Sequence, residues 1–234
     1  MTSRWTEEKR AVISAAREMA AQGLVTGSSG NLSVRLPAEP DGRPLIAVTP
    51  AGRPYASLSE DDIAVVDFDV EQVEGDLAPS SETLLHVAIY QARPDAGAVI
   101  HTHSIFASVA AVAGLEIPPI IDEITITIGG AVQVSEYAFP GSEELANNVC
   151  AALGERNAAL IRNHGAVGIG NDPLQALDVC ALVERTAQVF FYTSLLGKAS
   201  ELPPDVVEAE IAIYRMRRQT AVDRVAGSKG SHLG

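Results

Sequence analysis

The chain has 234 residues, 47% of them hydrophobic and 20% charged, a composition that supports one large buried core and excludes intrinsic disorder. Asp and Glu outnumber Lys and Arg by 30 to 17, and the resulting charge of −13 repels nucleic acid and anionic membranes, so neither is an expected partner. The longest apolar runs break at histidine, proline or charge well short of the roughly 20 residues that span a bilayer, and the two cysteines, Cys150 and Cys180, read as reduced thiols of a soluble, cytoplasmic protein without a secretory leader.

The segment "TEEKRAVISAAREMAAQGL" (6–24) opens on Thr6 as an N-cap with acidic residues behind it, repeats apolar residues at helical spacing and stops at Gly23. "LSVRL", "LIAVTP" and "IAVVDFDV" follow as short β-rich runs separated by Pro, Asp and Gly, the strands of one sheet. "PSSETLLHVAIYQARPD" (79–95) predicts a second helix, capped by Ser80, with Glu82 in its first turn and Pro94 barring continuation. Strand "AVIHTH" leads into helix "SIFASVAAVAG". Further strands are expected at "AVQVSEY" and "NAALIRNHGAVGIG", and helices at "SEELANNVCAALGE", "DPLQALDVCALVERTAQVFFYTSLLG" and "PDVVEAEIAIYRMRRQ". Helices mixed with strands of one sheet, and no linker between them, predict a single α/β domain over residues 1–225. Residues 226–234, which contain His232, lack periodicity and bulk and are expected to form a flexible tail.

Three of the five histidines stand at strand ends. Successive strand side chains point to opposite faces, so His101 and His103 project from one face, and His164 follows a second apolar run. Neutral imidazoles in such a set suit a catalytic zinc ion, which keeps three protein ligands and one open position. Alternation alone leaves a chelate and a polar strand edge both open. Glu82 offers an acid–base group, or simply a favourable charge at a helix start. His86, four residues on, reads as a core-facing residue or as a partner of Glu82. "TGSSGNLS" (26–33), "TPAGRP" (49–54) and "SSE" (80–82) have the backbone N–H groups and hydroxyls to hold phosphate, yet each is equally a chain-reversal turn, and none carries a Walker or dinucleotide-binding pattern. No lysine occurs between Arg10 and Lys198, which disfavours Schiff-base chemistry.

Taken in order, "GSSGNLSVR", "VTPAGRPY", "PSSETLLHVAIYQARPDAGAVIHTHS" and "NHGAVGIG" resemble the class II aldolase/adducin family over roughly residues 5–215. The resemblance implies a mostly antiparallel central sheet flanked by helices, and a homotetramer with active sites between subunits. It makes His101, His103 and His164 ligands of Zn²⁺, with Mn²⁺ or Co²⁺ as substitutes, and Glu82 the acid/base beside the metal. Ser28, Gly30, Asn31, Gly52, Ser80 and Ser81 become the phosphate cradle of a phosphorylated sugar substrate, with Ala51 where relatives often carry a hydroxyl. The implied activity is a reversible aldol cleavage of a ketose 1-phosphate. Asp122, in "IPPIIDEIT", stands where a tyrosine is expected at the aldehyde end of the substrate. Tyr214 is the candidate for a second phenol reaching a neighbouring subunit, with core packing as its alternative. Same-fold epimerases, dehydratases and decarboxylases are competing activities. A non-catalytic adducin-like interaction module would have lost the metal ligands that this chain keeps, and a cupin oxygenase would carry its glutamate after the His-x-His pair.

Overall fold

The computed structural model describes residues 4–37 and 39–230, without the side chains of residues 221 and 224–230. Seven strands form one antiparallel sheet: β1 (Asn31–Arg35), β2 (Leu45–Val48), β3 (Ala64–Asp67), β4 (Gln72–Glu74), β5 (Ala98–Thr102), β6 (Ala158–Ile161) and β7 (Gly165–Gly170). Their spatial order is β4-β3-β2-β1-β5-β7-β6, with every pairing antiparallel. The helices are α1 (Thr6–Ala21), α2 (Thr83–Ala92), α3 (Ile105–Ala113), α4 (Asp122–Ile128), α5 (Glu143–Leu153), α6 (Pro173–Leu195) and α7 (Pro204–Gly230).

Both faces of the sheet are covered, which is why β2, β3, β5, β6 and β7 read as near-continuous apolar runs and are buried throughout. Leu32, Val34, Ala98 and Ile100 pack beneath α1 and α6, while Ile46, Val48, Val99, Val167 and Ile169 pack beneath α2 and α5. A third cluster joins Ala158, Leu160 and Ala166 to α3, α4 and α6. Each fully buried Val or Ile contributes roughly 1.5–3 kcal/mol, so these layers hold the polar residues that must sit among them.

Several local expectations are corrected. Thr6 is the first helical residue of α1 rather than its cap; Trp5 holds the N-cap position at φ 63°, without a side-chain hydrogen bond. Ser80 lies one turn before α2: its carbonyl accepts from the Thr83 N–H and hydroxyl, and Glu82 takes the N-cap position. "AVQVSEY" forms no ladder strand. It makes isolated bridges from Val132 to Ile117 and from Val134 to Leu160, shielding the open edge of β6. "NAALIRNHGAVGIG" is two strands, because Asn163 adopts the left-handed conformation (φ 56°) and folds β6 back onto β7. Two elements were not expected. The polar edge strand β4 has no apolar alternation, and α4 is rich in β-branched residues, although Asp122 and Glu123 in its first turn and the left-handed Gly129 behind it are helix-end signals. α7 continues past Gln219 to take in residues 226–230, and His232 lies outside the described residues.

Candidate metal centre

Strand β5 brings His101 up on the α2 side of the sheet, next to Val99, and the chain leaves the ladder just before His103, whose N–H bonds Leu24 O at 3.1 Å. His164 comes from the turn between β6 and β7. There a Cβ on Gly165 would lie 2.1 Å from the Thr102 carbonyl, so glycine is what lets the hairpin close against β5. Glu82 enters from the start of α2. The four side chains converge until their ligating atoms all lie within 4.8 Å of one another. His101 and His103 thus reach one cluster, His101 from the strand and His103 from just beyond its end.

The Nε2 of His101 stands 2.9 Å from His103 Nε2, 3.3 Å from His164 Nε2 and 3.2 Å from Glu82 Oε2. His101 Nδ1 donates to the Ala166 carbonyl at 2.9 Å, which in the neutral ring turns the Nε2 lone pair toward the cluster. Burial, with the neighbouring histidines, pushes His103 down to about 4 and His164 in the same direction, against the pull of Glu82, so both are neutral at pH 7. Lone pairs this close repel unless a proton or a cation lies between them. Imidazoles that share one tetrahedral divalent ion at about 2.0–2.1 Å hold their nitrogens roughly 3.3 Å apart, a spacing that the 3.3 Å pair matches and the 2.9 Å pair falls short of. Burial raises the Glu82 carboxyl, but the hydrogen bond from His101, the nearby His101 and His164 rings and the Asn31 amide outweigh it, leaving a carboxylate well below its usual range. Its Oε1 has no hydrogen-bond partner and faces His164 Nε2 at 3.6 Å.

The three loops proposed for phosphate lie side by side. Ala51 N bonds Ala78 O and Ser80 N bonds Thr49 O, each at 3.1 Å, which joins the loop at 49–52 to the segment at 78–81. The Tyr55 hydroxyl lies 3.0 Å from Ser29 O and 2.7 Å from Gly30 O, holding the first loop against them. Gly30, at φ 70°, admits no side chain, since a Cβ would meet His101 O at 2.5 Å. Ser28, Gly52 and Ser81 are exposed, and Ser80 and Asn31 are buried. Asn31 does more than line a loop: its Nδ2 donates to Glu82 Oε2 at 2.9 Å.

Asp122 and Tyr214 stand apart from the metal cluster. Asp122 is exposed at the start of α4, facing Glu210 of α7. Tyr214 is buried, its hydroxyl 2.5 Å from Glu155 O and 2.9 Å from Asn157 Oδ1, which supports its packing alternative.

His86 has no exposed surface and reaches the cluster through Asn31, with its Nε2 2.5 Å from Asn31 Oδ1 and its Nδ1 2.6 Å from Ser33 Oγ. Burial first, and then the neighbouring His101, push it down to about 3 against the pull of Glu82. The unfolded chain, with a histidine pKa near 6.5, takes up the proton first as pH falls. This stability is therefore complete above about pH 6.5 and lost progressively toward pH 3, at about 1.4 kcal/mol per unit. Urea unfolding at about pH 6, 5 and 4 should show the parent losing stability more steeply than His86→Gln by that amount. Parallel curves would contradict a buried neutral His86.

Residues 10–191 match the family described as Class II Aldolase and Adducin N-terminal domain, and the chain belongs to this family of metal-dependent aldolases. It is 35% identical over 211 residues to L-fuculose phosphate aldolase of Escherichia coli K12, covering 90% of this chain and 94% of that one. It is 30% identical over 202 residues to 5-deoxy-D-ribulose 1-phosphate aldolase of Bacillus thuringiensis serovar kurstaki, covering 86% and 92%. A solved L-fuculose 1-phosphate aldolase superposes with TM-score 0.84 at 32% identity, over 92% of this chain and 98% of that one. The chain is thus an enzyme, a class II aldolase with a mixed α/β fold and a largely antiparallel sheet, as the resemblance implied. Among the described residues no helix is long and apolar enough to cross a membrane.

Proposed function

We propose that the protein is a zinc-dependent aldolase that reversibly cleaves a ketose 1-phosphate to dihydroxyacetone phosphate and a short aldehyde. The convergence of Glu82, His101, His103 and His164 carries this proposal. When bound by the three imidazoles, a divalent ion supplies electrophilic stabilisation for the charge that develops as the carbon–carbon bond breaks. Glu82 Oε1, free of hydrogen bonds, would return a proton to the carbon freed by cleavage and remove it in the synthetic direction. The backbone N–H groups and hydroxyls at 28–31, 51–52 and 80–81 would hold the phosphate, placing the substrate carbonyl over the cluster. The bare Ala51 leaves one hydrogen bond of that cradle to water. Free thiols at both cysteines support a cytoplasmic site of action, and we extend the proposal to a homotetramer.

For the aldehyde end we propose a short, deoxygenated chain. Asp122 is less bulky than tyrosine and leaves room for a short aldehyde if a neighbouring subunit brings it to the substrate. A 5-deoxypentulose 1-phosphate is then expected to be used alongside, or in preference to, L-fuculose 1-phosphate, in line with the relative named for the former. The ratio of kcat/KM for these two substrates should shift in Asp122→Tyr and Asp122→Asn; an unchanged ratio in both would remove Asp122 from specificity. Screening ketose 1-phosphates for dihydroxyacetone phosphate release tests the function itself. An epimer, a dehydrated sugar or carbon dioxide as the product would instead identify the epimerase, dehydratase or decarboxylase activity. Inorganic phosphate should compete with substrate, and equal use of unphosphorylated ketoses would contradict the assigned cradle.

A further inference from the structure

Alternate residues of β1 face α2 one for one. Asn31 Nδ2 meets Glu82 Oε2 at 2.9 Å, Ser33 Oγ meets His86 Nδ1 at 2.6 Å, and an Arg35 N–H meets the Tyr90 carbonyl at 2.8 Å. The match is geometric: two strand residues advance about 6.8 Å and four helix residues about 6.0 Å, so positions 31, 33 and 35 keep step with 82, 86 and 90. The middle rung is fully enclosed, with Ser33 and His86 both at 0% exposure and Tyr90 at 1%. Polar groups are seldom buried so completely without fixing something.

Their hydrogen bonds run in one direction only. A carboxylate accepts and cannot donate, so Asn31 must turn its Nδ2 to Glu82 and its Oδ1 to His86. Oδ1 in turn requires a proton on His86 Nε2, which leaves Nδ1 bare to accept from the Ser33 hydroxyl. The Tyr90 hydroxyl lies 3.0 Å from Ser33 Oγ and donates to the Ser33 carbonyl, also at 3.0 Å, packing the serine against the ring. The opposite tautomer would turn the Asn31 amide over and set its oxygen against the Glu82 carboxylate.

We propose that His86, enclosed by Ser33 and Tyr90 and donating from Nε2 to the Asn31 oxygen, is a positioning residue that fixes the Asn31 amide and thereby holds Glu82 by Oε2 with Oε1 aimed at the substrate. This rests on Glu82 being the proton carrier of the reaction proposed above. His86 side-chain atoms touch none of the three imidazoles, and apart from its backbone N–H bond to the Glu82 carbonyl at 3.4 Å it reaches Glu82 through Asn31. Burial holds the ring neutral well below the ordinary histidine range.

The test has two arms. In the first, long-range ¹H–¹⁵N NMR of histidine-labelled parent protein should show one histidine, missing from the His86→Gln spectrum, that is protonated at Nε2 and bare at Nδ1 throughout about pH 5–8. This arm needs no active variant. In the second, His86→Leu should lose about 10–100-fold in kcat with KM for the ketose 1-phosphate changed less than about twofold. His86→Gln, whose amide can donate to Asn31 and accept from Ser33, should recover most of that loss. Ser33→Ala, a milder change, should lower kcat in the same sense if the leucine variant does not fold. An Nδ1–H tautomer in the parent, or equal kcat values for the leucine and glutamine variants, would overturn the proposal. A parent that releases no dihydroxyacetone phosphate but shows the Nε2–H form would refute the aldolase function and leave this arrangement standing.

Discussion

Replacing His101 and His103 together with alanine is expected to reduce bound metal from about one ion per chain to a trace and to take turnover to background. The two residues supply two of the three converging Nε2 atoms, and His101 lies within 3.3 Å of each other member of the cluster. His164 would be left as the one imidazole ligand, with Glu82 beside it, too weak a site to survive gel filtration. His101 is fully buried, so the variant also loses packing, and circular dichroism with thermal melting must show a folded chain before the metal content is read. Elemental analysis of parent and variant decides the matter; equal metal in both would put the ion elsewhere.

Glu82→Gln should keep fold and metal yet lose about 10²-fold or more in kcat. Glutamine preserves the shape of the side chain, and its carbonyl oxygen can still accept from Asn31 Nδ2, so the rung between β1 and α2 survives. It cannot take up and return a proton at the pH of catalysis. The loss is therefore expected in kcat with KM little changed, the signature of an interaction needed in the transition state. Near-normal turnover would remove Glu82 from the proton transfer, even if it remains beside the metal.

The parts of this site that were legible in the sequence are those set by local geometry. The alternation of β5 put His101 on the cluster side, with His103 following one residue past the strand's end, and the glycine after His164 marked a sharp return of the chain. The hairpin itself was missed because "AALI" and "AVGI" are apolar on both sides of "RNHG", and buried strands give continuous runs that mask a turn. The Asn-x-Gly spacing, with Asn163 left-handed, was its only signal. Glu82 joins the histidines through tertiary packing alone. It depends on where α2 crosses β1, and no spacing along the chain encodes that crossing; only the family resemblance supplied it. The same holds for His86. Asn31, Ser33 and Arg35 at alternate positions, and Glu82, His86 and Tyr90 at every fourth, are visible as two polar stripes, but their register appears only when the helix lies on the strand. Asp122 was placed by alignment with a tyrosine, and its exposure at the start of α4 leaves its role to a neighbouring subunit or to none.

The most direct test of metal-dependent aldol cleavage at this cluster is a single titration. Protein stripped of metal by a chelator is supplied with Zn²⁺ in steps, and dihydroxyacetone phosphate release from L-fuculose 1-phosphate and from a 5-deoxypentulose 1-phosphate is followed at each step. Release should be absent in the stripped protein and should rise to a plateau at about one equivalent per chain, and the His101→Ala/His103→Ala protein should stay flat throughout. Full turnover by the stripped protein, or a plateau reached equally by the double variant, would contradict the assignment of the reaction to Glu82, His101, His103 and His164.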